Sequence, residues 1–317
     1  DGLPSPDGKW VVYTDNNSDV WLFNIATKEQ RKFAPNEEGG FSFAWSPDSR
    51  WIAWSQTASN TFAQILLYNV ETKTTTPVTT DRVNSVSASF SPDGKWLYFL
   101  SDRNLRSLVG SPWGPRQPEP YFDRPMKIYQ IALKKGLRPP FKPADELNPE
   151  TAEPKAAASP APSPSPAPSP SPSPTPTPTP VAAPRVDIDL DGLSARIYEV
   201  PAGSGDLSGL TATAKTLYWL ADDPGAEGKR HLMALEITHK DPKAVKVMED
   251  ITSYEVSADG KKALVRKRED LFVIDANGKA PAAAELPKSR VDLSGWAFPI
   301  EVREDWKQIF VDAWRME

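Results

Sequence analysis

The chain has 317 residues, 37 Lys and Arg against 42 Asp and Glu, and a net charge of −5. That balance excludes a nucleic-acid binder working through a broad basic face. Cysteine is absent, which excludes disulfides and thiolate metal sites. No apolar run reaches the roughly 18 residues that a membrane-spanning helix requires.

The chain opens on what reads as the end of a strand and then Ser5-Pro6-Asp7-Gly8-Lys9-Trp10. Pro presets φ at the second position of a turn, Asp suits the third, and Gly takes the left-handed position that ends it. A chain that begins in this way without Met is expected to be a piece of a longer protein, any signal peptide lying upstream. A strand follows at Val20–Ile25. The turn returns as Ser46-Pro47-Asp48-Ser49-Arg50-Trp51, with a strand at Ile65–Val70, and again as Ser91-Pro92-Asp93-Gly94-Lys95-Trp96.

Around the third copy, Val86, Ala88 and Phe90 alternate with serines, and Trp96–Leu100 is apolar on both faces. Alternation, turn and apolar run predict a β-hairpin whose second strand is covered on both sides. The third strand of this repeat, Ile128–Leu133, is delayed. The intervening loop, Ser101 to Arg124, mixes aromatic and basic residues. Long loops of this composition on a rigid scaffold are where binding concentrates. Trp113, Arg116, Tyr121, Phe122 and Arg124 are therefore the candidate residues for substrate or partner binding.

Next comes a tract, 153–184, in which Pro alternates with Ser, Thr or Ala. It cannot pair in a sheet and is expected to be a solvated, extended, disordered insertion within one blade. Asp187, Asp189, Asp191 and Gly192 then imitate the start of a calcium loop, but Tyr198 stands where its last carboxylate belongs and no flanking helices are evident. Ile188, Leu190 and Arg196–Val200 read instead as strands around a turn. Worn copies of the hairpin turn stand at Thr211–Thr216 and Ser257–Lys262, each with a following strand, Leu232–Ile237 and Leu271–Asp275. In the last stretch Trp306, Ile309, Phe310, Ala313 and Trp314 recur at helical spacing behind Glu304 and Asp305, which predicts an amphipathic helix.

Undisturbed turn-to-turn spacings are 41, 45 and 46 residues (5 to 46, 46 to 91, 211 to 257). A period of roughly 40–45 residues with four strands per unit is the pattern of propeller blades. The fold expected is all-β, a β-propeller of WD-repeat-like four-stranded blades. About five are present in an incomplete ring, with the Pro-rich insertion and a C-terminal helix. Propeller blades are placed at 1–302, and 303–317 as the first helix of a following domain.

Chemistry is scarce. His231 and His239 fall at variable repeat positions, aligned with Asp19 and Thr27. There is no G-x-S-x-G elbow, zinc-binding spacing or phosphate-cradling glycine loop. No catalytic residue, metal or cofactor is assigned, and the chain alone is expected to be inactive.

Three segments carry a family resemblance. GSPWGPRQPEPYFDR (110–124), continuing into KIYQIALKKGLRPPF (127–141), VDIDLDGL (186–193) and the exit DLSGWAFPIEVREDWKQIFVDAWRME (292–317) together resemble the bacterial tricorn-type serine peptidases. The resemblance implies the later part of a seven-bladed propeller and the start of an α/β domain. A PDZ domain and a second α/β domain would follow, and the catalytic Ser and His would lie beyond Glu317. It implies that the propeller channels oligopeptides to that site, in a homo-oligomer. A cytoplasmic location is expected, with the periplasm as the alternative. The competing expectations are a non-enzymatic binding propeller similar to that of the periplasmic Tol system, and a prolyl-oligopeptidase-like enzyme.

Overall fold

A computed structural model describes residues 2–34, 42–103, 126–148, 183–223, 229–297 and 299–316. The tract 153–184 lies outside them as far as residue 182. Four strands, β1 (Gly2–Pro4), β2 (Trp10–Thr14), β3 (Val20–Asn24) and β4 (Gln30–Ala34), form the first antiparallel blade. The second blade is β5 (Phe43–Trp45), β6 (Trp51–Thr57), β7 (Ala63–Asn69) and β8 (Thr74–Pro77).

The third and fourth blades are joined. Strands β9 (Ser85–Phe90), β10 (Trp96–Ser101), β11 (Met126–Ala132), β12 (Ile197–Ala212), β13 (Thr216–Asp222), β14 (Arg230–Glu236) and β15 (Val245–Met248) are hydrogen-bonded in that order. The first part of β12 pairs with β11, from Ile197↔Ile131 to Gly205↔Met126. Its second part pairs with β13, from Asp206↔Asp222 to Ala212↔Leu217. One strand is thus the outermost of blade 3 and the innermost of blade 4. The fifth blade has β16 (Ser253–Val256), β17 (Lys262–Lys267) and β18 (Asp270–Asp275). A single bridge from Phe272 to Arg290 lies beside β18.

The hairpin turn is built by its own side chains. Ser Oγ donates to the Asp carboxylate in four of the five copies, at 2.6 Å from Ser5, 2.7 Å from Ser46, 2.5 Å from Ser91 and 2.6 Å from Ser257. The same hydroxyl accepts the amide N–H of Trp10, Trp51, Trp96 or Lys262. The turn ends on a left-handed residue: Gly8, Gly94 and Gly260 at φ near 68°, and Ser49 at 61°. In the worn copy at 211–216, Thr213 Oγ1 replaces the serine, accepting the Thr216 N–H and donating to the Thr216 carbonyl.

Blades stack through their faces, as the apolar run after each turn requires. On β10, Trp96, Tyr98 and Leu100 pack toward blade 4, while Leu97 and Phe99 pack toward blade 2. Four core clusters join the five blades in sequence. Val12, Leu22, Trp54 and Tyr68 fill the first junction, and Tyr218, Leu220, Val265 and Ile274 the last. Among the described residues no cluster joins blade 5 to blade 1. Leu264 and Val273 on blade 5 and Leu3 on blade 1 are exposed, so the blades form an open arc.

One expectation is corrected. Residues 183–190 form no strand, and Leu193–Arg196 is a 3-10 turn, with the strand starting only at Ile197. The segment is a strap lying across the second and third blades. Val186 is buried, its N–H donates to Asp48 Oδ2 at 2.7 Å, and its carbonyl accepts Trp51 Nε1 at 3.3 Å. Arg196 holds the strap from below. Its guanidinium donates to the carbonyls of Ala132, Asp189 and Asp191, so backbone carbonyls of the strap find partners without a strand ladder. The helix α1 (Val302–Met316) forms as expected and exposes Trp306, Ile309, Phe310 and Trp314.

Candidate functional site

Trp113, Arg116, Tyr121, Phe122 and Arg124 lie outside the described residues. The roots of their loop are described. Ser101 ends β10 fully buried, and Asp102 accepts both the backbone N–H and the side-chain amide of Asn84, at 2.9 and 2.8 Å. Arg103 lies over two aromatic rings, 5.3 Å from the Phe99 centroid and 4.8 Å from that of Tyr129. Burial pushes the Arg103 guanidinium below its ordinary pKa. Cation–π contact compensates part of that desolvation. The loop therefore starts from a fixed point on blade 3.

A groove of about 1260 Å³ opens on the outer side of the same blade. One wall is the excursion after β11, residues 135–142; the other is the start of β12. The excursion is braced by Asp145, which accepts Arg138 Nη1 at 2.9 Å and both the backbone and side-chain N–H groups of Asn148. Those hydrogen bonds, from Asn148 and then from Arg138, hold the Asp145 carboxyl at about 2. Leu137 and Phe141 pack into the core shared by blades 3 and 4. Gln130 lies at the floor, on the strand face that carries Ile128 and Ala132. It faces Tyr98 on one neighbouring strand and Tyr198 on the other.

The three aspartates of the strap have separate partners. Asp187 accepts Arg185 Nε at 2.9 Å and Lys134 Nζ at 3.5 Å, and Asp189 accepts the Lys135 backbone N–H at 2.9 Å. Asp191 contributes its carbonyl to Arg196. Elsewhere, His231 is buried on blade 4 with Nε2 2.8 Å from Asp223 Oδ2. The imidazole beside it holds the Asp223 carboxyl below the usual carboxylate range.

The groove was not legible in the sequence. Gln130 is the one polar residue in Ile128–Leu133, which is the available signal. Its walls come from residues some 60 positions apart, on either side of the Pro-rich tract.

Residues 2–277 match the family model of the tricorn protease second beta propeller domain. The chain belongs to this family. A curated relative, Tricorn protease homolog 1 of Streptomyces coelicolor, is 26% identical over 331 residues, covering 98% of this chain and 28% of its own length. The Tricorn protease homolog of Saccharolobus solfataricus is 23% identical over 324 residues, covering 98% of this chain and 26% of its own length. The chain thus spans a little over a quarter of these relatives. Among solved structures, the tricorn protease aligns with a TM-score of 0.73 at 18% identity, over 99% of this chain and 28% of that one. TolB from Acinetobacter baumannii aligns with a TM-score of 0.51 at 13% identity, over 87% of this chain and 51% of that one. At these identities the structural likenesses show the fold alone. The open arc is a tricorn-type propeller.

Proposed function

We propose that this tricorn-type propeller is part of a tricorn-like serine peptidase and guides oligopeptides to a catalytic site in domains outside residues 1–317. The observation that carries the reading is the match of residues 2–277 to a propeller domain of a protease. The coverage supports it: relatives described as tricorn protease homologs extend well beyond the span they share with this chain. On this reading residues 1–302 are propeller, and α1 opens the next domain and packs its exposed apolar stripe there. Trp113, Arg116, Tyr121, Phe122 and Arg124 contact the passing peptide. A homo-oligomer and a cytoplasmic location complete the proposal.

The test is hydrolysis of fluorogenic oligopeptides by the whole gene product and by residues 1–317 alone. The whole product cleaves them and the propeller alone does not. Arg116→Ala together with Trp113→Ala, in the whole product, slows long peptides more than tripeptides. Turnover by residues 1–317, abolished by replacing one of its own serines, would place the catalytic centre here and end the reading. A whole product that binds peptides without cleaving them would make the protein a binding propeller.

A further inference from the structure

The groove on the outer side of blade 3 has features that folding does not need. Gln130 is fully buried, and among the described residues neither its carboxamide oxygen nor its nitrogen has a hydrogen-bond partner. A buried donor and acceptor left unmade cost stability, and an apolar side chain of the same shape would avoid that cost. Both backbone neighbours across the ladder are tyrosines, Tyr98 buried and Tyr198 exposed. Above lies a groove with an apolar wall of Leu137 and Phe141 and a basic rim at Lys135 and Lys142. Arg138 and Arg196 line it too, but their guanidiniums are already engaged by Asp145 and by backbone carbonyls. Lys142 lies 3.8 Å from Asp145 at an exposed position, and the Lys135 side chain is exposed. Two carboxylate residues, Asp191 and Glu199, also line the groove. Glu199 is paired with Lys127 at 2.5 Å.

We infer that this groove is a docking site for an extended peptide segment carrying a carboxylate, separate from the ring interior. The carboxamide of Gln130 offers one acceptor and one donor side by side. The group that satisfies both at once is another amide, and the amide that every extended peptide presents is its own backbone. The apolar wall takes a side chain, and the Lys135 and Lys142 rim takes the negative charge. Tyr198, exposed and directly opposite Gln130, lines the groove beside it. The site goes beyond the channel reading and does not depend on it, because it lies on β11 and the outer part of β12 rather than on the inner strands.

The probe is Ala-Leu-Glu-Leu-Ala-Leu with a free C-terminus and an uncharged BODIPY label on its N-terminus, titrated against residues 1–317 by fluorescence anisotropy. Three controls are the same peptide as its C-terminal amide, a version with Lys in place of Glu, and one with Lys and the amide together. Saturable binding is expected, lost in the peptide without either carboxylate. The two single controls show whether the terminal or the side-chain carboxylate is read. Gln130→Met weakens binding at least about tenfold, as for the loss of a buried hydrogen-bonded pair, and raises the midpoint of thermal unfolding. Lys135→Glu with Lys142→Glu reverses the charge preference without changing that midpoint. A Gln130→Met protein that unfolds earlier than the parent would show a structural amide and overturn the proposal. So would equal binding of all four peptides, unchanged affinity in Gln130→Met, or no saturable binding by any of them.

Discussion

Ser49 and Gly94 occupy the same place in two copies of one turn, and what surrounds them differs. Ser49 holds a left-handed φ of 61° that glycine would adopt at less cost. It offers in return a hydroxyl that accepts the Asp7 N–H at 3.0 Å, across the junction of blades 1 and 2. At Gly94 a Cβ would stand 2.6 Å from Cγ2 of Val186, under the strap, whereas at Gly8 it would meet nothing within 4 Å. Gly8→Ala should therefore cost about 1–2 kcal/mol for the left-handed backbone alone. Gly94→Ala should cost roughly 1–3 kcal/mol more for the overlap. Urea unfolding of the two variants measures this directly, and equal losses would mean that the strap does not sit on the turn.

Carboxylates set the acid limit. Asp145 is held down by Asn148 and Arg138, Glu71 by Arg50, and Asp259 by Ser257. Each folded-state pKa lies below its unfolded value, so the unfolded chain binds more protons at pH between the two. Their contribution is complete above the unfolded values near 4 and is lost as pH falls toward about 2. The unfolding midpoint should stay level from about pH 7 to 5 and drop between about 4 and 2. A midpoint that rises in that acid window would contradict these pairings.

At the scale of elements, the two faces of each middle strand decide stability. Trp54 is fully buried between blades 1 and 2, with Phe33 packed edge-on at 5.4 Å. Trp54→Ala should cost about 3–5 kcal/mol. Trp314 on α1 is 74% exposed, and Trp314→Ala should change stability by less than about 0.5 kcal/mol in residues 1–317. Denaturant unfolding of the pair separates a core tryptophan from one whose packing lies elsewhere. A large loss at Trp314 would show that α1 docks on the blades.

The same elements show how far the sequence reading reached. The hairpins were legible because Ser, Asp and Gly build the turn with their own atoms, and the apolar runs declare two covered faces. Strand β12 was not. Pro201, Gly203, Gly205 and Gly209 are poor strand formers, yet the chain bulges where pairing with β13 shifts between Ser208 and Thr211, with Gly209 at φ 58°, and continues as strand. Burial of Val200, Leu207 and Leu210 between two blades outweighs the poor local propensity. Ile188 and Leu190 have strand period, which is why the strap reads as strand, while its bonds go to Asp48, Trp51 and Arg196. The groove needs tertiary contact between segments that the repeat spacing does not relate.

Across the whole molecule, five blades and four shared cores make an arc with two ends. Blade 5 presents Leu264 and Val273 between Lys262 and Arg266. Blade 1 presents half-buried Val11, Tyr13, Trp21 and Phe23 on the face turned from blade 2. Unpaired faces of this kind favour association. Residues 1–317 alone should sediment with a concentration-dependent mass, and Tyr13→Lys with Phe23→Lys should reduce it. A monomer at every concentration would mean that the ends satisfy each other.

At this scale the proposed function has the arc serving a peptidase whose chemistry lies elsewhere in the same polypeptide. Reading the coding sequence past the codon for Glu317 tests it most directly. On the proposed function, an α/β domain with a Ser–His pair follows, then a PDZ domain and a second α/β domain. A stop codon within a few dozen residues would contradict it and leave a propeller that binds without cutting.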